Sequence, residues 1–307
     1  MIQRKSRGHK KLPMLLIIVT WLFAIVQSPY FASAQAQTTE KTPSLTSDQA
    51  AYAKRTLDFI AKMDSLFFDR VEALNGGHEL ETLILDSESN NYDIKVARGP
   101  VVEKGGRVLT ITTRPTARFQ KQTSWSRFFN LDVHPKTPLV GMLHAAFVVQ
   151  FYTDGTSTLG GWLDVLPAAM SQEDLDYLRQ EMDKVFSKFG VDGTPHREMV
   201  CKGGTQENKR WRRRPACVGG SFYGANLMTV TEENFLLMTE AYEQFLDAYL
   251  TIVERRRDDP YTEEDLSAQD AMRLNWLEDR FYADPYTTNV TPYKAWSLYS
   301  LPPSVKF

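Results

Sequence analysis

The stretch LHAAFVVQF, residues 143–151, decides the fold because its apolar side chains recur in the near-alternating order of a long β-strand. Three runs of the same kind precede it in the chain. They lie at Glu81–Leu85, Asp93–Ala97 and Arg107–Thr113. We therefore expect several strands, some of them long, in the first half of the protein.

Helical patterns flank these strands. The expected helices are Ser47 (with Gln49) to about Ala73, the run opened by Ser171 with Asp174 and closed by Gly190, and Glu232–Arg256. Shorter elements follow: strands at Ser221–Val230 and near Trp296–Leu301, and a helix or strand at Leu266–Trp276. Strands grouped between long helices predict an α+β fold, with a large, mainly antiparallel β-sheet flanked by α-helices.

The composition is that of an ordinary globular protein. Of the 307 residues, 42% are hydrophobic and 24% are charged, which excludes a disordered chain. The 36 basic side chains face 38 acidic ones, so the overall charge argues against a nucleic-acid partner.

The first 36 residues have the pattern of a secretory signal peptide. Basic residues precede the apolar run Met14–Val26, and Ala34 or Ala36 fits the cleavage site. We expect an extracytoplasmic protein, either periplasmic or secreted; an uncleaved segment would instead be an N-terminal membrane anchor. The remaining chain divides into a linker with the start of the first helix at 37–54 and a folded domain at 55–307.

The two cysteines, Cys201 and Cys217, bracket one loop. Export to an oxidising compartment would favour a disulfide between them, and two buried thiols are the alternative. The loop contains Lys209 and the run Arg212–Arg214 in an otherwise acidic protein. This run is either a solvated loop or a patch for carboxylates or phosphates, which guanidinium groups bind bidentately.

Motifs for common catalytic chemistry are absent from the sequence. It has no Gly-rich dinucleotide fingerprint, no phosphate-binding loop, no HExxH and no GxSxG. It also lacks a zinc-type cluster of cysteines and histidines.

Several short segments are distinctive when they are taken in order. They are VEKGG at 102–106, GGWLDVLP at 160–167, CVGGSFY at 217–223, IVERRRDDPYTEEDLSAQ at 252–269, and SLPPSV at 300–305. His134 and His144 are ten residues apart. Together these segments resemble the oxygen-dependent coproporphyrinogen III oxidases, whose motifs are FEKAG, GGGxDLTP, GIGGxFF, IVERRRDTPYGERERDFQ and SLPPLV, with two histidines at the same spacing. The resemblance covers roughly residues 55–307.

The resemblance implies a flat antiparallel sheet covered by helices, in a homodimer. It also implies oxidative decarboxylation of two propionates of coproporphyrinogen III to vinyl groups, which gives protoporphyrinogen IX and consumes O2. The family is described as needing no metal or organic cofactor. The partner it implies is an anionic tetrapyrrole substrate.

The resemblance also assigns roles to individual residues. Asp164 matches the family's aspartate that hydrogen-bonds the pyrrole N–H groups, and His144 matches the histidine of its HxNxR strand; both are expected to be catalytic. Without the resemblance, a helix or turn cap is the default interpretation of Asp164. The residues expected to bind substrate are Arg212, Arg213, Arg214, Gly219 and Gly220.

This chain departs from the family at several of those positions. Ala146 and Val148 replace the Asn and Arg of HxNxR. The other replacements are Trp211, Arg214 and Ala216 in HRxExR, Gly224 after GGxFF, Tyr293 and Ala295 in GRTES, and Asp176 and Leu178 in the bacterial HxH. Some bacterial members are proposed to bind metal through four histidines. Only two of these have counterparts in this chain, namely His134 and His144. Two imidazoles make a poor site, so we predict no metal.

Two functions are therefore open. The first is an oxygen-dependent oxidase of coproporphyrinogen III or a related tetrapyrrole, which the retained Asp164 favours. The second is a catalytically inactive extracytoplasmic porphyrin-binding protein of the same fold, which the lost Asn and Arg at 146 and 148 favour.

Overall fold

The structure is a computed structural model that describes residues 45–77, 79–112, 121–202, 212–284 and 291–307. The expected signal peptide lies outside these ranges, as do residues 37–44 of the expected linker. In the part of the chain described, no helix has the length and apolar character needed to cross a membrane.

One seven-stranded sheet organises the domain, and every neighbouring pair of strands is antiparallel. The strands follow one another in chain order: β1 (Glu79–Asp86), β2 (Asn90–Arg98), β3 (Val102–Thr112), β4 (Thr123–Pro135), β5 (Met142–Tyr152), β6 (Ser157–Leu166) and β7 (Gly220–Ser221). The helices are α1 (Ser47–Asn75), α2 (Gln172–Lys188), α3 (Thr194–Lys202), α4 (Glu232–Arg256), α5 (Glu263–Glu278) and α6 (Tyr293–Tyr299). The α+β class predicted from the sequence is confirmed.

The apolar face of the sheet packs against α1, α2 and α4. Alternate residues of β4 and β5, such as Phe129, Leu131, Ala145 and Phe147, are completely buried there. Because side chains alternate across a strand, the residues between them project to the opposite face. We call that opposite face the site face; α3, α5 and α6 pack against it.

Two strands, β4 and β6, were not predicted from the sequence. In β4, Asn130, Asp132 and His134 alternate with apolar residues and yet are buried themselves. In β6, two glycines interrupt the apolar pattern. Polar and small residues at strand positions conceal the usual signal when both faces of a sheet are covered.

Helix α1 begins at Ser47, as expected, but a different residue caps it. Thr46, rather than Ser47, is the N-cap: its hydroxyl accepts from the backbone N–H of Gln49, whose side chain accepts from the N–H of Thr46. The two reciprocal hydrogen bonds form a capping box. The helices expected between Ser171 and Gly190 and at Glu232–Arg256 are confirmed, and Leu266–Trp276 is part of helix α5.

Two expected strands were wrong. Of the first one, Ser221–Val230, only Ser221 lies in a strand, because a 3₁₀ turn at Gly224–Asn226 interrupts the extended chain. The segment near Trp296–Leu301 lies largely in α6, which begins after Pro292. Its buried residues Ala295, Trp296 and Tyr299 have helical spacing and pack on the site face of β2 and β3.

The IVERRRDDPY stretch, residues 252–261, links helix α4 to helix α2. Arg255 and Arg256, at the end of α4, both donate to the carboxylate of Asp174 in the first turn of α2. The carboxylate is buried and the first of these guanidinium groups is part-exposed. Removal of the carboxylate would leave two cations without their acceptor, so this motif has a structural role in the fold.

Candidate active site

The candidate site is built on two rows of residues that run across the strands of the site face. In the first row, Asp132 pairs with His144, and His144 pairs with Asp164 on the next strand. Directly opposite residues have Cβ atoms about 4.5–5.5 Å apart. The antiparallel register therefore brings together the two residues predicted to be catalytic, although they are twenty positions apart in sequence.

The Asp164 carboxylate is completely buried and is held by three backbone N–H groups. One oxygen accepts from Val218 and Gly219, each at 3.1 Å, and the other accepts from Cys217 at 2.8 Å. Burial raises the pKa of Asp164 to about 6, although the N–H groups oppose that shift. The backbone N–H groups of residues 217–219 thus position the Asp164 carboxylate, which titrates close to neutral pH.

A disulfide fixes the segment that supplies these donors. Cys217 is bonded to Cys201 at the end of α3. It also has a φ of +61°, a left-handed conformation that is uncommon for a residue with a Cβ. Two residues later, Gly219 passes so close to β6 that an added Cβ would lie 1.9 Å from the carbonyl oxygen of Leu163. Gly219 is therefore explained by backbone packing, and its expected contact with substrate stays a prediction.

Gly220 has more space. An added Cβ would come no closer than 3.3 Å to Phe186. The residue begins β7, which pairs with β6.

His144 lies against a carboxylate and two indoles. Its Nδ1 is 2.6 Å from Oδ1 of Asp132, and its ring centroid is 5.1 Å from that of Trp276 and 6.3 Å from that of Trp162. Burial lowers the pKa of His144, and Asp132 opposes that shift. We therefore infer that the imidazole is neutral near pH 7 in the ligand-free protein.

Two buried guanidinium groups stack on the same indoles. The guanidinium carbon of Arg213 lies 5.1 Å from the ring centroid of Trp162, and that of Arg280 lies 3.7 Å from Trp276. Arg280 also donates to Asp284 at 2.9 Å, and the Arg213 Nε lies 3.5 Å from Asp279. The site thus combines positive charge with flat aromatic surfaces.

The other two arginines predicted to bind substrate are exposed. Arg212 lies 3.7 Å from Glu278, and its backbone N–H donates to the carboxylate of Asp279. Arg214 donates to the carbonyl oxygen of Arg212. The extended segment therefore alternates, so that only Arg213 of the three is buried with the indoles. Lys209 and Trp211, which belong to the same basic loop, lie outside the described residues.

The second row is more apolar. Asn130 pairs with Ala146, which pairs with Trp162. Ala146 and Trp162 pack with Val200 of α3, and Val148 is also buried. Neither amide atom of Asn130 has a hydrogen-bond partner among the described residues, although both are buried. A buried amide without partners costs stability, so Asn130 is a candidate contact for a polar ligand.

The two histidines at the ten-residue spacing do not share a site. His134 is buried and its Nε2 lies 3.2 Å from the carbonyl oxygen of Ser300, which also accepts from the Trp276 indole. Burial lowers the pKa of His134 to about 3, so the ring is neutral. Within the described ranges, no group of three or more His, Cys, Asp or Glu side chains could hold a metal ion.

Sequence reasoning missed several residues of the site. They are Asn130, Asp132, Trp162, Trp276 and Arg280. The available signal was the run FFNLDVH at 128–134, in which polar residues alternate with apolar ones next to a histidine. The two tryptophans gave no such signal because buried aromatic residues are common in any core.

The arrangement suits proton transfer next to an anionic, aromatic ligand. Burial raises the pKa of Asp164 to about 6 and lowers the pKa of His144, and the two residues lie side by side on neighbouring strands. The buried arginines offer hydrogen bonds for carboxylates, and the indoles offer stacking surfaces.

Comparison with known proteins agrees with this geometry. The profile of the family described as coproporphyrinogen III oxidase matches residues 56–307. An oxygen-dependent coproporphyrinogen-III oxidase of Francisella philomiragia is similar to this chain, with 26% identity over 197 residues. The matched region is 59% of this chain and 62% of that relative, so the chain spans less than two thirds of the relative's length.

Proposed function

Because the chain belongs to the coproporphyrinogen III oxidase family, we propose that it oxidatively decarboxylates propionates of coproporphyrinogen III or a closely related porphyrinogen. Each propionic acid side chain loses CO2 and two hydrogen atoms and becomes a vinyl group. The two electrons reduce O2, and with two protons they give hydrogen peroxide. Decarboxylation of two propionates would form protoporphyrinogen IX, a precursor of haem.

The observation that carries this proposal is the pairing of Asp164 with His144 on one sheet face. Asp164 is completely buried and the His144 side chain is 12% exposed, and both lie on paired strands rather than on loops. A reaction on an electron-rich pyrrole requires a proton acceptor close to the pyrrole N–H. A carboxylate with a pKa near 6 and a neutral imidazole can both serve.

Arg213 supports the recognition of a propionate. Its guanidinium group is buried among Trp162, Asp279 and Asp284 rather than exposed. The guanidinium group lies 3.5 Å from the carboxylate of Asp279 and 3.7 Å from that of Asp284. Guanidinium groups bind carboxylates such as propionate through bidentate hydrogen bonds. Arg212 and Arg214, on the exposed side of the segment, would attract the anionic substrate from solution.

A second candidate function is favoured by a specific feature of the site. Apolar Ala146 and Val148 take the place of the family's amide and guanidinium groups, and Trp162 fills the space above Ala146. The Asp164 oxygens are also already engaged by three N–H groups. These features suit a protein that holds a porphyrin without turning it over.

The test incubates the full chain with coproporphyrinogen III in the dark, with and without O2, and identifies the tetrapyrroles by mass. The oxidase proposal predicts products that have lost CO2 and two hydrogens per propionate, and only when O2 is present. Binding of the tetrapyrrole is followed in parallel by quenching of tryptophan fluorescence. Binding with intact propionates would favour the second function, and neither binding nor turnover would contradict both.

Other parts of the proposal concern the setting of the reaction. We propose that the chain is exported, because residues 1–36 have the pattern of a signal peptide. The disulfide between Cys201 and Cys217 is compatible with an oxidising compartment. By analogy with the family, we further propose a homodimer that uses O2 as co-substrate and no organic or metal cofactor.

A further inference from the structure

The neighbour of His144 on β4 is the carboxylate of Asp132. Asp132 is completely buried, and its Oδ1 is 2.6 Å from Nδ1 of His144. It projects from the site face in the same row as His144 and Asp164. A buried carboxylate is costly, so its position beside one nitrogen of the imidazole needs an explanation.

We propose that Asp132 is a positioning residue, which holds His144 as the Nδ1–H tautomer and presents its Nε2 to the ligand. The proposal rests on the proposed function only for the nature of that ligand, a tetrapyrrole. It adds to that function the residue that determines which imidazole nitrogen exchanges a proton.

The tautomer follows from donor and acceptor chemistry. An ionised carboxylate can only accept hydrogen bonds, so the short contact requires a proton on Nδ1. In a neutral imidazole the other nitrogen is then an acceptor. Nε2 of His144 has no hydrogen-bond partner among the described residues, and 12% of the side chain remains exposed. The free lone pair is therefore available for a proton from a bound molecule.

The charges around the pair determine how basic His144 can be. Burial is the largest cause of the lowered pKa of His144, and Arg280 and Arg213, which face the ring from the segments that cover the sheet, lower this pKa further. Lys104 and His134 lie on the next register step of β3 and β4, and Asp164 lies opposite on β6. Asp132 counters the two arginines and raises the pKa of His144. Without Asp132, the imidazole would be a weaker proton acceptor.

The resulting step is a proton transfer with no change in oxidation state. Nε2 accepts the proton of a ligand N–H, and the N–H bond to the ligand breaks as the bond to Nε2 forms. The imidazolium that results is stabilised by the Asp132 carboxylate, to which its Nδ1–H already donates. The proton returns when the ligand leaves or is released to a second acceptor such as solvent.

A purely structural role for Asp132 is the alternative, and a matched variant separates the two. Asp174 is another buried carboxylate with cationic partners, but it lies on α2, against the apolar face of the sheet. Asp174→Asn should therefore disturb folding to a comparable degree without altering His144. Asp132→Asn removes the charge at nearly constant shape and introduces an amide that can donate to Nδ1.

The experiment records the ¹⁵N spectra of the histidine rings in the full chain, with the His144 signals identified by their loss in His144→Gln. In the wild type we expect a protonated Nδ1 and an unprotonated Nε2 at neutral pH. Asp132→Asn should shift the population towards the Nε2–H tautomer and lower the pKa of His144. Asp174→Asn should leave both unchanged.

Turnover provides a second readout. Asp132→Asn should lower kcat for coproporphyrinogen III by about tenfold or more, with the acidic limb of the pH profile moved to lower pH. The tetrapyrrole Kd should change less than kcat. A wild-type Nε2–H tautomer, an unaltered tautomer in Asp132→Asn, or a loss of kcat no larger than in Asp174→Asn would overturn the proposal. If the wild type shows no turnover, the proposed function fails, and the ring spectra alone decide the role of Asp132.

Discussion

The backbone N–H of Cys217 donates to the carboxylate of Asp164 at 2.8 Å, while the sulfur of the same residue is bonded to Cys201 on α3. The disulfide therefore holds in place the residue that begins the three-donor clasp of Asp164. The adjacent donors, Val218 and Gly219, continue the same segment. The disulfide thus helps to hold the backbone donors of the Asp164 carboxylate in place.

Loss of the disulfide should loosen this clasp. In the double variant Cys201→Ser/Cys217→Ser, we expect the free energy of unfolding to fall by about 2–4 kcal/mol, because the unfolded chain is less constrained. Hydrogen exchange at residues 217–219 should accelerate more than exchange in α4. Equal acceleration in both places, or none, would contradict the link between the disulfide and the clasp.

The raised pKa of Asp164 predicts a specific pH dependence of stability. The folded-state pKa of about 6 exceeds the ordinary value of 3.8, so the folded protein retains this proton to higher pH than the unfolded chain. The contribution of Asp164 to stability should therefore fall as pH rises from about 4 to about 6, by roughly 3 kcal/mol. The measurement is urea unfolding of wild type and Asp164→Asn at pH 4.5 and pH 7.

The difference in unfolding free energy between wild type and Asp164→Asn isolates this group from the other titrating residues. As the pH increases, the unfolding free energy of the wild type should decrease relative to that of Asp164→Asn. A difference that is constant across this range would mean that Asp164 has the same protonation in the folded and unfolded chains.

Gly219, which belongs to the clasp, and its neighbour Gly220 should respond differently to the same substitution. Gly219→Ala would place a Cβ 1.9 Å from the carbonyl oxygen of Leu163, which forces the backbone to move. We expect a loss of about 3 kcal/mol or more for Gly219→Ala and about 1 kcal/mol for Gly220→Ala. Thermal unfolding of both variants provides the comparison. Similar losses in both would remove the packing explanation for Gly219.

The buried and exposed arginines should differ in how they bind a carboxylated tetrapyrrole. Arg213→Ala should weaken the binding of coproporphyrin III by about tenfold or more, with little dependence on salt, because buried charged hydrogen bonds are worth about 1.5–3 kcal/mol. Arg214→Ala should have a smaller effect that disappears at high salt. The measurement is fluorescence titration at low and high ionic strength, and unchanged affinity in both variants would contradict a role for this segment.

Much of the fold could be predicted from local patterns. Helix α4 has the bounds that its apolar spacing indicated, and α2 begins after Ser171, whose hydroxyl accepts from the N–H of Asp174. The strand predicted near Trp296 was wrong because a buried helix of seven residues is too short to display its period. The β4 strand escaped detection because polar side chains in a covered sheet do not follow the usual pattern.

The candidate site was less accessible to sequence reasoning. Asp164 and His144 were identified by resemblance, and the register of β5 and β6 brings them together. The contact between Asp132 and His144 depends on the pairing of β4 with β5, which no local pattern reveals. The alternation of the three arginines likewise depends on the tertiary contacts of Arg213 with Trp162 and Asp279.

The most direct test of the account compares the products that wild type, Asp164→Ala and Asp154→Ala form from coproporphyrinogen III in the presence of O2. Asp154 is a matched control because it is a carboxylate on the exposed turn between β5 and β6. Mass spectrometry should detect loss of CO2 and two hydrogens per propionate with wild type and Asp154→Ala, and intact propionates with Asp164→Ala. Intact propionates with all three proteins, or equal conversion by Asp164→Ala, would contradict the account.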